Sequence, residues 1–247
     1  AHGSLFDFVM RRDGVDFPGA VERLAGEAGL ALPKRSEKER EQERRSLGLH
    51  EVIAATTEFF EATLWSAEGE AALAYLRQRG LDDALIRRFR LGYAPAGRTA
   101  LKTALARRGV EEALMREAGL VIQPDDASRA SYDRFRDRVM FPISDRRGRG
   151  VGFGGRLMGP GEPKYLNSPE TVLFHKGSLL YGLPAAAEAA RTAGRIIVVE
   201  GYMDVIGLAG AGLGETVAPL GTALTEDQMR ELWRLAPTPI LCFDPDA

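Results

Sequence analysis

Carboxylates follow two apolar segments near the end of the sequence, and their spacing suits a metal site. Glu200 comes directly after the apolar residues 196–199, and Asp244 and Asp246 follow the apolar residues 240–243. Because Asp244 and Asp246 are two residues apart, both side chains project from one face of extended backbone. Three carboxylates at one edge form the hard oxygen site that Mg²⁺ or Mn²⁺ prefers, and these ions suit phosphoryl or nucleotidyl transfer.

The elements predicted around these acids alternate between strand and helix, which indicates a parallel sheet with crossover connections. They are strands over residues 195–199, 215–219 and 240–243 and helices over residues 202–209 and 227–235. Continuous apolar runs are typical of strands covered on both faces. Ligand sites of open parallel sheets lie at the carboxyl ends of the strands, so this topology brings Glu200, Asp244 and Asp246 together.

Each acid also has a purely structural interpretation. Chains that leave a buried strand re-enter solvent and often carry acids there. Asp204 suits the first turn of a helix, where the helix dipole favours a negative charge. The joint pattern, a strand followed by Glu-Gly and a later strand followed by Asp-x-Asp, favours a shared site over unrelated surface acids.

The part of the chain before this sheet predicts helices and one β-hairpin. Two short helices are expected over residues 4–29, a long helix over residues 47–65, and shorter helices up to Gly119. Residues 137–157 carry alternating apolar side chains on both sides of a glycine-containing turn, which is a hairpin signature. Three glycines in the second strand either let the backbone approach phosphates or serve a bent hairpin, and both interpretations stand. They are Gly152, Gly154 and Gly155.

Composition and charge limit the classes of protein. The chain has 247 residues, 45% of them hydrophobic, with a net charge of −2. No apolar run approaches the ~20 residues needed to span a bilayer, so we expect a soluble, cytoplasmic protein. One cysteine, Cys242, excludes a multi-cysteine zinc site in this chain, and we predict it to be buried and inert. Residues 128–182 hold ten Arg and Lys against five Asp and Glu, a local excess that permits a basic nucleic-acid track.

Motifs throughout the chain resemble known families. The sequence EGYMDV from Glu200, the LGT from Leu220 and the FDPD from Phe243 resemble the Toprim fold shared by topoisomerases and primases. RDRVMFPISDRRGRGVGFGGR from Arg136, together with PKYLNSPET, HKG and LYGL, is similar to the polymerase domain of bacterial DnaG-type primases. The opening HGSLFDFV resembles the segment that follows the zinc ribbon of that family.

The resemblance implies roles for particular residues. Glu200 and Asp204 would be catalytic, and Glu200, Asp244 and Asp246 would bind Mg²⁺ or Mn²⁺. A basic crescent would bind nucleic acid or nucleotide, since Arg and Lys neutralise phosphates and Tyr stacks on bases. Its members would be Arg136, Arg138, Arg156, Lys164, Tyr165, Asn167 and Lys176.

The resemblance also implies an architecture. It predicts an α+β N-terminal subdomain with a hairpin-containing sheet, followed by an α/β Toprim subdomain with a parallel sheet. We expect residues 1–33 to end a zinc-ribbon module or linker, residues 34–183 to form the first subdomain and residues 184–247 the second. Neither end reads like a natural terminus, so we expect a fragment of a longer protein. This chain has Asp-Pro-Asp where the family usually has Asp-Gly-Asp, and it lacks a further acidic pair, the zinc ligands and the helicase-binding domain.

The implied function is synthesis of RNA primers from ribonucleoside triphosphates on a single-stranded DNA template. The parent would be a monomer at the replication fork and would contact the replicative helicase. Two alternatives remain: a Toprim nuclease or topoisomerase, and a nucleic-acid-binding fragment without activity. A phage-type primase–helicase is disfavoured because no Gly-x₄-Gly-Lys-Ser/Thr phosphate loop occurs.

Overall fold

A computed structural model describes residues 4–29, 37–126, 128–221 and 223–244. The chain divides into two compact units, residues 1–44 and 45–247. The helices are α1 (Leu5–Asp13), α2 (Phe17–Glu27), α3 (Glu37–Leu64), α4 (Glu70–Gln78), α5 (Asp83–Arg88), α6 (Ala100–Arg107), α7 (Glu112–Glu117), α8 (Leu183–Ala193), α9 (Tyr202–Gly210) and α10 (Glu226–Trp233). Short 3₁₀ helices cover Ala67–Gly69 and Lys176–Ser178. The strands are β1 (Gly92–Ala94), β2 (Val121–Ile122), β3 (Tyr132–Asp133), β4 (Arg138–Ser144), β5 (Gly150–Leu157), β6 (Tyr165–Asn167), β7 (Leu180–Tyr181), β8 (Ile197–Val198), β9 (Thr216–Pro219) and β10 (Ile240–Leu241).

The first unit contains α1 and α2, which confirms the two short helices predicted there. The Ser4 hydroxyl accepts a hydrogen bond from the Asp7 N–H, and the Asp7 carboxylate accepts one from the Ser4 N–H. Asp16 caps α2 in the same manner by accepting from the Gly19 N–H over 3.0 Å. These caps satisfy backbone donors that the first turn of a helix leaves unpaired.

The predicted hairpin is confirmed as β4 and β5, which lie in a sheet of order β1-β4-β5-β6. Its turn is held by Asp145, whose Oδ1 accepts from the backbone N–H groups of Arg147 and Arg149 over 2.9 Å each. Strand β1 lies where helices were predicted. Gly92 in β1 packs so closely on α3 that a Cβ there would lie 2.5 Å from the Cβ of Phe60.

Packing explains the glycines of β5. A Cβ at Gly154 would lie 2.5 Å from the ring of Tyr202, and one at Gly152 would lie 2.6 Å from the ring of Phe174. At Gly155 the added atom would meet Arg138 at 3.0 Å. Real Cβ atoms do not approach neighbours as closely as at Gly152 and Gly154, so these two positions require glycine for close packing, whereas at Gly155 the Arg138 side chain would have to shift by a few tenths of an ångström. The contacts give a structural reason for glycine at these two positions, close packing, that neither the phosphate nor the bent-hairpin interpretation named.

The second sheet has the order β10-β8-β9-β7. Strand β8 pairs in parallel with both β9 and β10, as predicted, whereas β7 pairs antiparallel with β9. The ring of Tyr202 stacks on Phe141 at 5.0 Å and meets Tyr181 edge-on at 4.8 Å, which joins the two sheets in one core.

The prediction that residues 240–243 form a buried strand is wrong. Strand β10 covers two residues, and the side chains of Ile240 and Leu241 are 41% and 52% exposed. The reason is that β10 forms an edge of its sheet, and nothing among the described residues covers it. For the same reason Cys242 is exposed rather than buried, which corrects the prediction made for it.

Candidate active site

Two of the predicted acids meet at the carboxyl ends of neighbouring strands. Glu200 lies two residues after β8 and Asp244 three residues after β10, and the backbone N–H of Asp244 donates to Oε1 of Glu200 over 2.8 Å. Both side chains are exposed to solvent. The hydrogen bond ties the two strand ends together while leaving carboxylate oxygens available for a ligand.

Asp204 lies in the first turn of α9, immediately beyond Glu200. Its Oδ2 accepts a hydrogen bond from the Gly201 N–H over 3.1 Å, so it caps the helix. The structural interpretation of Asp204 therefore applies. The side chain is nevertheless exposed and faces the same cavity as the other two acids.

An open cavity of about 480 Å³ contains these three carboxylates. Its lining residues are Arg79, Val199, Glu200, Met203, Asp204, Gly207, Leu208, Cys242 and Asp244. Arg79, at the end of α4, adds a basic residue from the first half of the chain to this lining. The sequence interpretation missed Arg79, because its position after a helix carries no spacing signal that links it to Glu200. The cavity thus combines acidic ligands with a cationic group suited to an anion.

The donor chemistry fits Mg²⁺ or Mn²⁺. Asp246 lies outside the described residues, and within them no three His, Cys, Asp or Glu side chains are close enough to hold an ion by themselves. Mg²⁺ commonly binds through one or two carboxylates and keeps several waters. Glu200 and Asp244, with Asp204 beside them in the cavity, are a donor set of that kind.

Arg138 is buried and serves the backbone. Its Nη1 donates to the carbonyls of Gly155 and Lys164 over 3.1 and 3.2 Å, and its Nη2 donates to that of Pro163 over 2.9 Å. Burial lowers the pKa of this guanidinium below its ordinary value. Its predicted phosphate contact stays a prediction, but the observed contacts give it the role of holding β4, β5 and the segment before β6 in register.

Two other predicted residues, Arg156 and Tyr165, keep accessible groups. The Arg156 guanidinium lies over the ring of Tyr75 at 4.3 Å. Tyr165 is 45% exposed. Burial of the rest of its ring raises the pKa of Tyr165, while the nearby charges of Arg156 and Arg79 act in the opposite direction. The structure therefore brings Arg156, Tyr165 and Arg79 into one neighbourhood that ends at the cavity.

Arg136 and Lys164 are not brought to the acids by any contact among the described residues. Arg136 lies 4.8 Å from the centre of the Tyr132 ring and donates to the carbonyl of Asp133. Lys164 is exposed, and its backbone N–H donates to the Glu162 carboxylate over 3.2 Å.

Asn167 connects the two sheets. Its Nδ2 donates to the carbonyl of Leu220 over 2.8 Å, and its Oδ1 accepts from the Tyr202 hydroxyl over 2.6 Å. Burial raises the pKa of Tyr202, so the phenol remains a hydrogen-bond donor. The described contacts of Asn167 are therefore structural, and they fix the start of α9 next to Glu200.

Lys176 lies near the carboxyl end of the second sheet. A Cβ added at Gly221, which follows β9, would be 3.2 Å from its Cε and 3.5 Å from its Nζ. Since β9 neighbours β8, this contact brings the Lys176 ammonium to the sheet edge that carries Glu200.

None of the described helices combines the length and apolar character needed to cross a bilayer.

A family model described as the N-terminal domain of the DNA primase catalytic core matches residues 59–187, and a Toprim domain model matches residues 194–247. The chain is 46% identical over 249 residues to a DNA primase of Pseudomonas putida. That alignment covers 100% of this chain and 38% of the relative, so the chain spans well under half of the relative's length.

Solved structures show the same similarity. A DnaG primase catalytic domain bound to ssDNA matches with 42% identity and a TM-score of 0.74, over 82% of this chain and 63% of that one. The Aquifex aeolicus primase, comprising zinc binding and RNA polymerase domains, matches with 33% identity and a TM-score of 0.72, over 98% of this chain and 57% of that one. The resemblance to DnaG-type primases and to the Toprim fold is confirmed. The chain belongs to the DNA primase catalytic core family, with a Toprim domain in its C-terminal part.

Proposed function

We propose that the protein containing this chain is a DNA primase, which joins ribonucleotides on a single-stranded DNA template. The observation that carries the proposal is the cavity in which Glu200, Asp204 and Asp244 lie together with Arg79. Carboxylates for a divalent cation and a guanidinium for a triphosphate are the groups that nucleotidyl transfer requires. The family match favours this activity over a Toprim nuclease or topoisomerase.

The proposed reaction forms a bond between the primer 3′-oxygen and the α-phosphorus of the incoming nucleotide. The bond from that phosphorus to pyrophosphate breaks, and the hydroxyl proton passes to the exposed carboxylate of Asp204 or to solvent. Asp244 and Glu200 would hold Mg²⁺, which when bound neutralises charge on the triphosphate and acidifies the hydroxyl. Arg79 and Lys176 would orient the triphosphate, and catalysis would consist mostly of positioning and charge stabilisation.

The basic side chains would bind the template. We assign phosphate contacts to Arg136, Arg156 and Lys164 and base stacking to Tyr165. Arg138 and Asn167 are assigned as residues that position this surface. The ssDNA bound by the solved DnaG domain supports such a partner for this chain.

The remaining proposals concern the whole protein. It would use ribonucleoside triphosphates, release an RNA primer, act as a monomer in the bacterial cytoplasm and contact the replicative helicase through a domain outside this chain. Zinc would belong to a separate N-terminal module. Within this chain we retain residues 34–183 and 184–247 as the two subdomains and Asp246 as a metal ligand.

Incubation with a single-stranded template, Mn²⁺ and labelled ribonucleotides tests the proposal, both for this chain and for a longer form that matches its relatives in length. We expect template-dependent RNA from the longer form and at least about a 100-fold loss in Glu200→Gln, as for the removal of a group that acts at the reacting atoms. Absence of RNA from the folded, template-bound longer form would contradict it. If this chain by itself binds the template but makes no RNA, it is a nucleic-acid-binding fragment without activity of its own. This second candidate function is favoured by the small number of metal ligands within the described residues.

A further inference from the structure

Gln228 has a buried side-chain amide, and the hydrogen bonds of its Nε2 go to a segment outside its own helix. It lies in α10 and is 1% exposed. Its Nε2 donates to the carbonyl of Leu179 over 2.8 Å and to that of Lys176 over 3.3 Å. Its Oε1 accepts from the backbone N–H of Thr225 over 3.1 Å. Both the donor and the acceptor group of this buried amide are hydrogen-bonded, and the donor group binds the segment that carries Lys176.

The residue that caps α10 adds a second connection to the same segment. The Thr225 hydroxyl accepts from the Gln228 N–H over 3.2 Å and donates to the carbonyl of Gly177. The start of α10 is therefore bonded to the carbonyls of Lys176, Gly177 and Leu179. A capping box normally satisfies its own helix, whereas this one also fixes a neighbouring turn.

The backbone of Lys176 is held from its other side as well. Its N–H donates to Oε1 of Glu170 over 3.0 Å. Both backbone groups of Lys176 are thus bonded, while its side chain is exposed and lies against Gly221 at the end of β9. A lysine side chain is flexible, so a fixed backbone is what limits the region that its ammonium can reach.

We propose that Gln228 is a positioning residue for nucleotide binding, which acts by fixing the backbone from which Lys176 reaches the triphosphate. The inference rests on the proposed function, because it takes Lys176 as a ligand of the triphosphate. Gln228 itself touches no substrate, since its amide is buried behind the 3₁₀ helix Lys176–Ser178. Its loss should therefore weaken nucleotide binding only while Lys176 is present.

The test is a double-mutant cycle on the affinity for a fluorescent GTP analogue in the presence of Mn²⁺. The variants are Gln228→Met, which keeps the length of the side chain but removes its hydrogen bonds, Lys176→Ala, and the two combined. We expect Gln228→Met to weaken the affinity for the analogue about 5-fold, which corresponds to the loss of about one hydrogen bond. Lys176→Ala should weaken the affinity at least as much. In the Lys176→Ala background, Gln228→Met should add less than about 2-fold.

Two controls separate positioning from general destabilisation. Leu105→Ala removes a buried side chain from the cluster around α6 and should lower the melting temperature without changing analogue affinity. Affinity for ssDNA should be unchanged in Gln228→Met. If that variant does not fold, Thr225→Val, which removes the bond to Gly177, takes its place in the cycle.

The possible outcomes are distinguishable. Unchanged affinity in Lys176→Ala means that the assignment of Lys176 in the proposed function is wrong, and the inference fails with it. If Lys176→Ala weakens the affinity for the analogue and Gln228→Met leaves it unchanged, the inference about Gln228 is wrong while the assignment of Lys176 stands. Equal losses from Gln228→Met with and without Lys176 also overturn it, because the amide would then act on the fold rather than through the lysine.

Discussion

Two charged regions of the molecule use charge in opposite ways. The basic face is the arginine-bearing part of the sheet β1-β4-β5-β6, and the acidic edge is the end of the second sheet that carries Glu200 and Asp244. On the first, Arg134 and Arg138 are directed at backbone carbonyls, and the guanidinium of Arg156 lies on an aromatic ring. On the second, Glu200 and Asp244 are exposed, and the described contacts occupy one carboxylate oxygen of Glu200. A guanidinium has five donors and can hold a backbone while it carries charge, whereas carboxylates left open repel one another until a cation binds.

The comparison separates scaffold from site. Strands β4 and β5 are buried along most of their length, so charged groups beside them must be hydrogen-bonded. Glu200 and Asp244 lie beyond the ends of β8 and β10 and are exposed, so these acids remain hydrated and can exchange water for a ligand. Substitutions in the antiparallel sheet should therefore change stability first, and substitutions at the acidic edge should change ligand binding first.

Arg138→Ala should give the largest loss of stability. It removes three hydrogen bonds to carbonyls and the packing of a buried side chain, for which we expect about 3 kcal/mol in the free energy of unfolding. Urea denaturation measures it. Arg138→Lys should recover part of the loss, because an ammonium cannot reproduce the planar fork. A change below about 0.5 kcal/mol would mean that Arg138 is not part of the scaffold.

Gly154→Ala should cost about 1–3 kcal/mol, because its Cβ would overlap the ring of Tyr202 and force the two sheets apart. Gly207→Ala is the matched control. Gly207 lies within α9, where an added Cβ meets nothing within 4 Å, so the variant should be neutral or more stable by up to about 1 kcal/mol. Thermal unfolding of the pair tests whether glycine is needed at position 154 for packing.

The sequence correctly placed Glu200 and Asp244 at neighbouring strand ends, whereas it did not give the contacts of the basic residues, and the difference has a physical reason. The position of Glu200 and Asp244 follows from where strands end, and strand ends are readable from apolar runs and topology. Whether an arginine faces solvent or a carbonyl depends on tertiary packing that one sequence does not reveal, so Arg138 and Arg156 looked alike. Arg79 was missed because only the folded chain brings α4 to the acids. The burial assigned to Cys242 was wrong because an apolar run does not tell an edge strand from a central one.

Lys164→Ala should change binding without changing stability. The side chain is exposed, so the free energy of unfolding should stay within about 0.5 kcal/mol of the parent. If Lys164 contacts one DNA phosphate, the slope of log affinity for ssDNA against log salt should fall by about 0.7–1. Titrations at several salt concentrations measure the slope. An unchanged slope removes Lys164 from the template track.

The response of the melting temperature to Mn²⁺ tests most directly whether the acidic edge is a metal site. Millimolar Mn²⁺ should raise the melting temperature of the parent by a few degrees, since a ligand that binds the folded state stabilises it by mass action. Asp244→Asn should lose the rise and, without metal, should melt no lower than the parent, because removing one charge eases the repulsion among the carboxylates. Glu188→Gln, which neutralises an exposed acid on α8, should keep the full response. If Asp244→Asn also keeps the full response, these carboxylates are not the metal site, and the catalytic assignment is wrong.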